Sequence, residues 1–137
     1  MLRLLFSLAV AAWFGTAVCV SFIVTPVAHR NFPTSEARRL LRPLFPAYYR
    51  LGNVCGLASL GAVLLGRAGL SAEEVFRLAG PVAIALVATL IGGEILLPQL
   101  REIDGEDPRF EQLHRYSAMC NTTTLGALVL AIAGAVL

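Results

Sequence analysis

His114, Ser117, Asn121 and Thr124 recur at three- and four-residue spacing in FEQLHRYSAMCNTTTLG, the stretch from Phe110 to Gly126. At 100° per residue on a helix they fall within an arc of about 80°, which Cys120 widens to about 120°. Such groups on one face of an apolar helix either hydrogen-bond to partner helices or line a path for a polar solute. Asn121 to Leu137 carries no charge, so the stripe predicts a membrane helix with a polar face turned toward its neighbours. Glu94, in IGGEILLP, is a second candidate, because a carboxylate at bilayer depth is costly unless paired or protonated. The alternative for Glu94 is snorkelling to the nearer interface. Asn53 adds an amide able to bond across helices.

The three cysteines admit another chemistry. Cys19 lies six residues before Thr25, Cys55 six after Tyr49 and Cys120 six after His114. If those ends share one interface, the thiols reach a similar depth, about 9 Å inside at 1.5 Å per residue. Thiolates attract soft metals, so a cluster with Glu94 and His114 at its mouth would bind or pass a soft cation. A small apolar residue in a tight helix interface explains each cysteine as well. His29 and His114 prompt a bis-histidine haem between the first and fourth helices. No nucleophile with a positioned base, no phosphate loop and no paired intramembrane carboxylates occur, so an enzyme is not expected.

The elements that must position these residues are membrane helices. With 57% hydrophobic and 15% charged residues in 137, the chain cannot supply a soluble surface. All 11 basic residues are arginine, and they are scattered over loops between apolar runs, which does not suit nucleic acid. Spans are expected at about 4–25, 49–65, 74–98 and 112–136 of a single domain covering 1–137. A secretory signal at the first run is the rival reading, but the run is long and Val18-Cys19 makes a poor lipobox. Pro26 is expected to end the first span. Ser71 and Glu74 form a capping-box pattern opening the third. In the second, Gly52 and Gly56 have the small-xxx-small spacing of close helix packing.

Between the first two spans, Thr34 is a reasonable N-cap and Glu36 favours the first turn. Ala37, Leu40, Leu41, Leu44 and Phe45 face one way, and Arg38, Arg39 and Arg42 the other. This predicts an interfacial amphipathic helix, broken by Pro43 and Pro46, whose arginines meet anionic lipid phosphates. Eight arginines flank the loops after spans one and three, against three on the other side. Those loops are therefore expected in the cytoplasm, with both termini outward and an inner-membrane location in a bacterium.

Two separated pieces resemble the transmembrane protein 205-like family of small four-helix membrane proteins. The first runs from AAWFGTAV to LFPAYY and carries Trp13, Gly15, Leu44, Phe45, Pro46, Tyr48 and Tyr49. The second is FEQLHRYSAMCN, placing His114, Ser117 and Asn121 on the family pattern, and Pro98 fits its proline closing the third span. Glu111 stands where that family often has a second histidine, and Arg115 where glycine is common, which weakens any role built on paired histidines. Trp13 is assigned to the candidate path with the polar residues, and Gly15 to helix packing with Gly52 and Gly56. The resemblance implies a direction toward export, since one animal member is linked to platinum-drug resistance.

The reading is an all-α membrane protein, four antiparallel transmembrane helices with an interfacial helix between the first two. It would handle or export a small solute or soft metal ion. The alternatives are an accessory subunit, as a homo-oligomer or within a larger membrane complex, and a haem-binding bundle.

Overall fold

The computed structural model describes residues 1–103 and 105–136. Four long helices account for nearly all of them: α1 Leu2–Asn31, α2 Thr34–Gly69, α3 Ala72–Glu102 and α4 Pro108–Val136. Each is long and apolar enough to cross a membrane, so the protein is an integral membrane four-helix bundle. Short turns make successive helices antiparallel, and α4 returns against α1 to close the ring. At 1.5 Å per residue these helices run about 43–54 Å, longer than the ~30 Å hydrocarbon layer, so their ends reach the headgroups. The turns after α1 and α3 lie together at one end, called here the arginine-rich end.

Pro26 does not end α1, and Pro98 does not end α3. Both helices continue past their proline because the hydrogen-bond ladder widens just before it. Cys19–Val24 and Ile91–Leu96 are π-helical. The Thr25 N–H reaches the Val20 carbonyl and the Leu97 N–H the Gly92 carbonyl, each five residues back. Proline removes the donor to residue i−4 and its ring crowds that carbonyl. A π turn relieves the crowding without breaking the rod, and such turns cluster at functional sites.

The amphipathic stretch after α1 is helical as expected, but it is the first four turns of α2 rather than a separate surface helix. Pro33 occupies the N-cap position and Thr34 makes no side-chain cap. The rod passes through Pro43 and Pro46. Pro46 cannot donate to the Arg42 carbonyl, and Arg101 of α3 donates to it instead at 2.6 Å. The apolar face, Ala37 and Leu41, packs on Ala28 of α1 rather than lying in the lipid boundary, since alanine on both helices permits a close approach. Arg38, Arg39 and Arg42 stay exposed. Arg38 caps the Phe110 ring of α4 at 5.0 Å.

The Ser71–Glu74 capping box forms, with Ser71 N–H donating to Glu74 at 2.8 Å and Glu74 N–H to Ser71 Oγ at 3.2 Å. At the start of α4, Asp107 accepts the Arg109 backbone N–H at 2.9 Å and its guanidinium at 2.9 and 3.3 Å. The guanidinium holds the Asp107 carboxyl below its usual range. A depressed folded pKa adds stability above the unfolded value, about 3.9, and loses it as pH falls through the folded one. The first turn of α4 is therefore expected to fray below about pH 4, seen as faster amide exchange at Arg109 to Glu111. Exchange at those amides that is unchanged after correction for intrinsic rate would refute the coupling.

Candidate functional site

The bundle interior divides into two layers. Away from the arginine-rich end it is packed with Phe6, Val10, Val82, Leu86, Leu128 and Ala131. Trp13 is fully buried at the top of this layer. Its indole lies on the two glycines of α2: a Cβ at Gly52 would stand 2.7 Å from Trp13 Nε1, and one at Gly56 3.0 Å from Cζ3. The small-xxx-small spacing is thus a packing face, filled by one aromatic ring. Gly15 is not part of it. It lies two residues, or 200°, past Trp13, and a Cβ there would meet nothing within 4 Å.

Above Trp13 polar side chains enter the interior among the apolar Ala17, Val20 and Leu125. Asn121 of α4 is the junction: Tyr48 of α2 donates to its Oδ1 at 2.8 Å, and its Nδ2 donates to Ser21 of α1 at 2.8 Å. Ser21 sits inside the π turn of α1. Tyr49 pairs with Ser117 at 3.5 Å. One step deeper, Thr89 of α3 meets Thr124 at 3.3 Å, both nearly fully buried. Ser117, Asn121 and Thr124 therefore project inward, spanning about 10 Å of depth, and reach all three other helices. Tyr48, Tyr49, Ser21 and Thr89 complete the layer, and sequence reading missed them as path residues. The signal for the tyrosines was there: an adjacent pair on an apolar helix rarely buries without partners for its hydroxyls.

Other expected members lie elsewhere. His114 is exposed and stacks on Phe110 at 6.1 Å; it stands at the edge of the arc, two turns nearer the arginine-rich end than Asn121. Glu94 is exposed as well. The neighbouring glycines take the inward face, with Gly92 and Gly93 lying against the Tyr49 ring, so Glu94, the next residue, turns outward. Asn53 makes no cross-helix bond, its Oδ1 being buried without a partner among the described residues. The same holds for Trp13 Nε1.

The cysteines do not converge. Cys19 is exposed, Cys55 is buried beside Trp13 in the apolar layer, and Cys120 is half-buried. Among the described residues no three His, Cys, Asp or Glu side chains are placed to hold a metal ion. Similar spacing from the helix ends says nothing about which way each thiol faces. Cys19 follows the buried Ala17 by 200° and so points away from the bundle. His29, like His114, is exposed, which leaves no axial pair facing one interior space.

A cleft of ≈ 330 Å³ opens between α2 and α3 at the arginine-rich end. Tyr49 and Gly93 form its floor, and Arg50, Glu94, Arg101 and Glu102 stand around it. Tyr49 is thus shared between the cleft and the buried polar layer. Residues 8–108, from α1 to the first residue of α4, match a family described as a domain of unknown function, DUF4149. The chain belongs to that family. The match includes Trp13, Gly52, both tyrosines and both π turns, whereas Ser117, Asn121 and Thr124 lie on the helix that follows it. No curated protein and no solved structure matches the chain.

Proposed function

We propose that this membrane protein handles a small hydrophilic solute, admitting it from the arginine-rich side into the polar layer around Asn121. The observation that carries this reading is the three-helix junction itself, in which one half-buried amide joins Tyr48 and Ser21. Interhelical glue needs one such bond, and polar groups in membrane helices are costly enough to be rare without a use. A polar layer flanked by two π turns, with the buried Tyr49 standing between it and the cleft and Trp13 closing it below, would serve as a blind inlet once the Tyr49 ring moves aside. Export would then need the apolar layer below Trp13 to part. The resemblance to the transmembrane protein 205-like family points in the same direction. The arginine count favours the inlet facing the cytoplasm of a bacterial inner membrane.

The second reading is an accessory subunit. It draws on Ala11, Gly15 and Cys19, which form an exposed small-xxx-small stripe on α1 suited to a partner helix.

Water access separates the two. In a Cys19→Ala, Cys55→Ala, Cys120→Ala background carrying Ser117→Cys, a charged, membrane-impermeant methanethiosulfonate is expected to label the thiol from the arginine-rich side in proteoliposomes. Adding Asn121→Leu should slow labelling at least about tenfold while helicity is kept, since an aliphatic plug excludes both water and a charged reagent. A thiol that reacts only with apolar reagents would mean a dry layer, and the accessory reading would then stand.

A further inference from the structure

The four charged side chains around the α2–α3 cleft are not used by the polar layer. Arg50 and Arg101 bring two positive charges, Glu94 and Glu102 two negative ones. None of the four forms an ion pair among the described residues, where the pairs are Arg3–Glu74, Arg109–Asp107 and Arg115–Glu111. Arg101 spends one N–H on the Arg42 carbonyl and keeps the rest of its fork. Opposite charges that line one small cleft without pairing are arranged for a ligand carrying both signs.

The walls indicate what kind. Pro46, Leu97, Pro98 and the bare backbone of Gly93 make the apolar part, and the cleft lies toward the arginine-rich end, beside the exposed Arg50, where helix ends reach the headgroups. Its ≈ 330 Å³ falls at the small end of ligand sites, ~300–1,000 Å³, so it takes a headgroup while the acyl chains stay in the bilayer. A guanidinium binds phosphate through paired N–H donors, and carboxylates accept from a primary ammonium. An anionic headgroup without an amine would set its phosphate against Glu94 and Glu102. A quaternary ammonium cannot donate to them at all.

We infer that this cleft seats the headgroup of a phospholipid bearing a primary amine, of the phosphatidylethanolamine class, with Arg50 and Arg101 on its phosphate and Glu94 and Glu102 on its ammonium. The inference concerns the bundle's outer flank and does not depend on a hydrated interior.

The test is native mass spectrometry of the full chain in mild detergent, with phosphatidylethanolamine, phosphatidylcholine and phosphatidylglycerol added separately at equal concentration. Phosphatidylethanolamine is expected to be retained about tenfold better than either, the worth of one charge-assisted hydrogen bond. Arg50→Gln should weaken retention of all three lipids. Glu94→Gln with Glu102→Gln, isosteric changes at surface positions, should erase the preference over phosphatidylcholine. Equal retention of the three lipids, stronger retention of phosphatidylglycerol, or a preference that survives the double glutamine variant would each overturn the assignment.

Discussion

Trp13→Ala lowers the unfolding free energy by about 2–4 kcal/mol, less than the 3–5 typical of a large aromatic in an aqueous core. The discount arises because the alternative environment of an unpacked membrane helix is lipid, so the transfer term is small and lost packing contacts dominate. Trp13 is the largest fully buried side chain of the bundle, and its ring touches α2 and lies beside α3. The reverse perturbation checks the geometry. Gly52→Val places carbon 2.7 Å from Trp13 Nε1 and 3.1 Å from Thr89 Cγ2, and is expected to cost about 1–3 kcal/mol by overpacking. In the Trp13→Ala background the added valine loses its closest clash and keeps only the contact with Thr89, so the two changes should be coupled rather than additive. Denaturant unfolding in mixed micelles, run as a double-mutant cycle, reads this directly. Additivity within about 0.5 kcal/mol would mean that the ring does not rest on Gly52.

Gly93→Val has the second large effect. A Cβ at Gly93 would stand 2.9 Å from both Cβ and Cγ of Tyr49, and the Tyr49 Cβ is fixed to the α2 backbone, so no change of rotamer can clear it. The helices must separate, which weakens the Tyr49–Ser117 contact and opens the floor of the cleft. A loss of about 1–3 kcal/mol is expected, with faster labelling of the Ser117→Cys thiol. Gly15→Val serves as the control: open space surrounds that position, so its effect should stay within about 0.5 kcal/mol. Equal losses at Gly15 and Gly93 would contradict the assigned faces of α1 and α3.

Much of this architecture is legible in the sequence. Four long apolar runs near the length of the hydrocarbon layer admit few alternatives to four spans, and the capping box at Ser71 is a local interaction that needs no tertiary partner. That Ser117, Asn121 and Thr124 share one face follows from helical spacing alone. Proline rules misled in a consistent way. Read locally, Pro26, Pro43, Pro46 and Pro98 each stop a helix; in the folded protein two are absorbed by π turns, and the carbonyl freed by Pro46 is satisfied by Arg101, 59 residues away from Arg42.

What the chain determines by itself is therefore where it crosses the bilayer and which side chains share a face of one helix. Tertiary structure alone decided which face meets lipid and which meets protein, because lipid tails are as apolar as the interior and leave no hydrophobic pattern to tell them apart. That is why His114, Glu94, Gly15 and Cys19 turned outward, while Tyr48, Tyr49 and Ser21, each beside an inward-facing partner on another helix, became the polar layer.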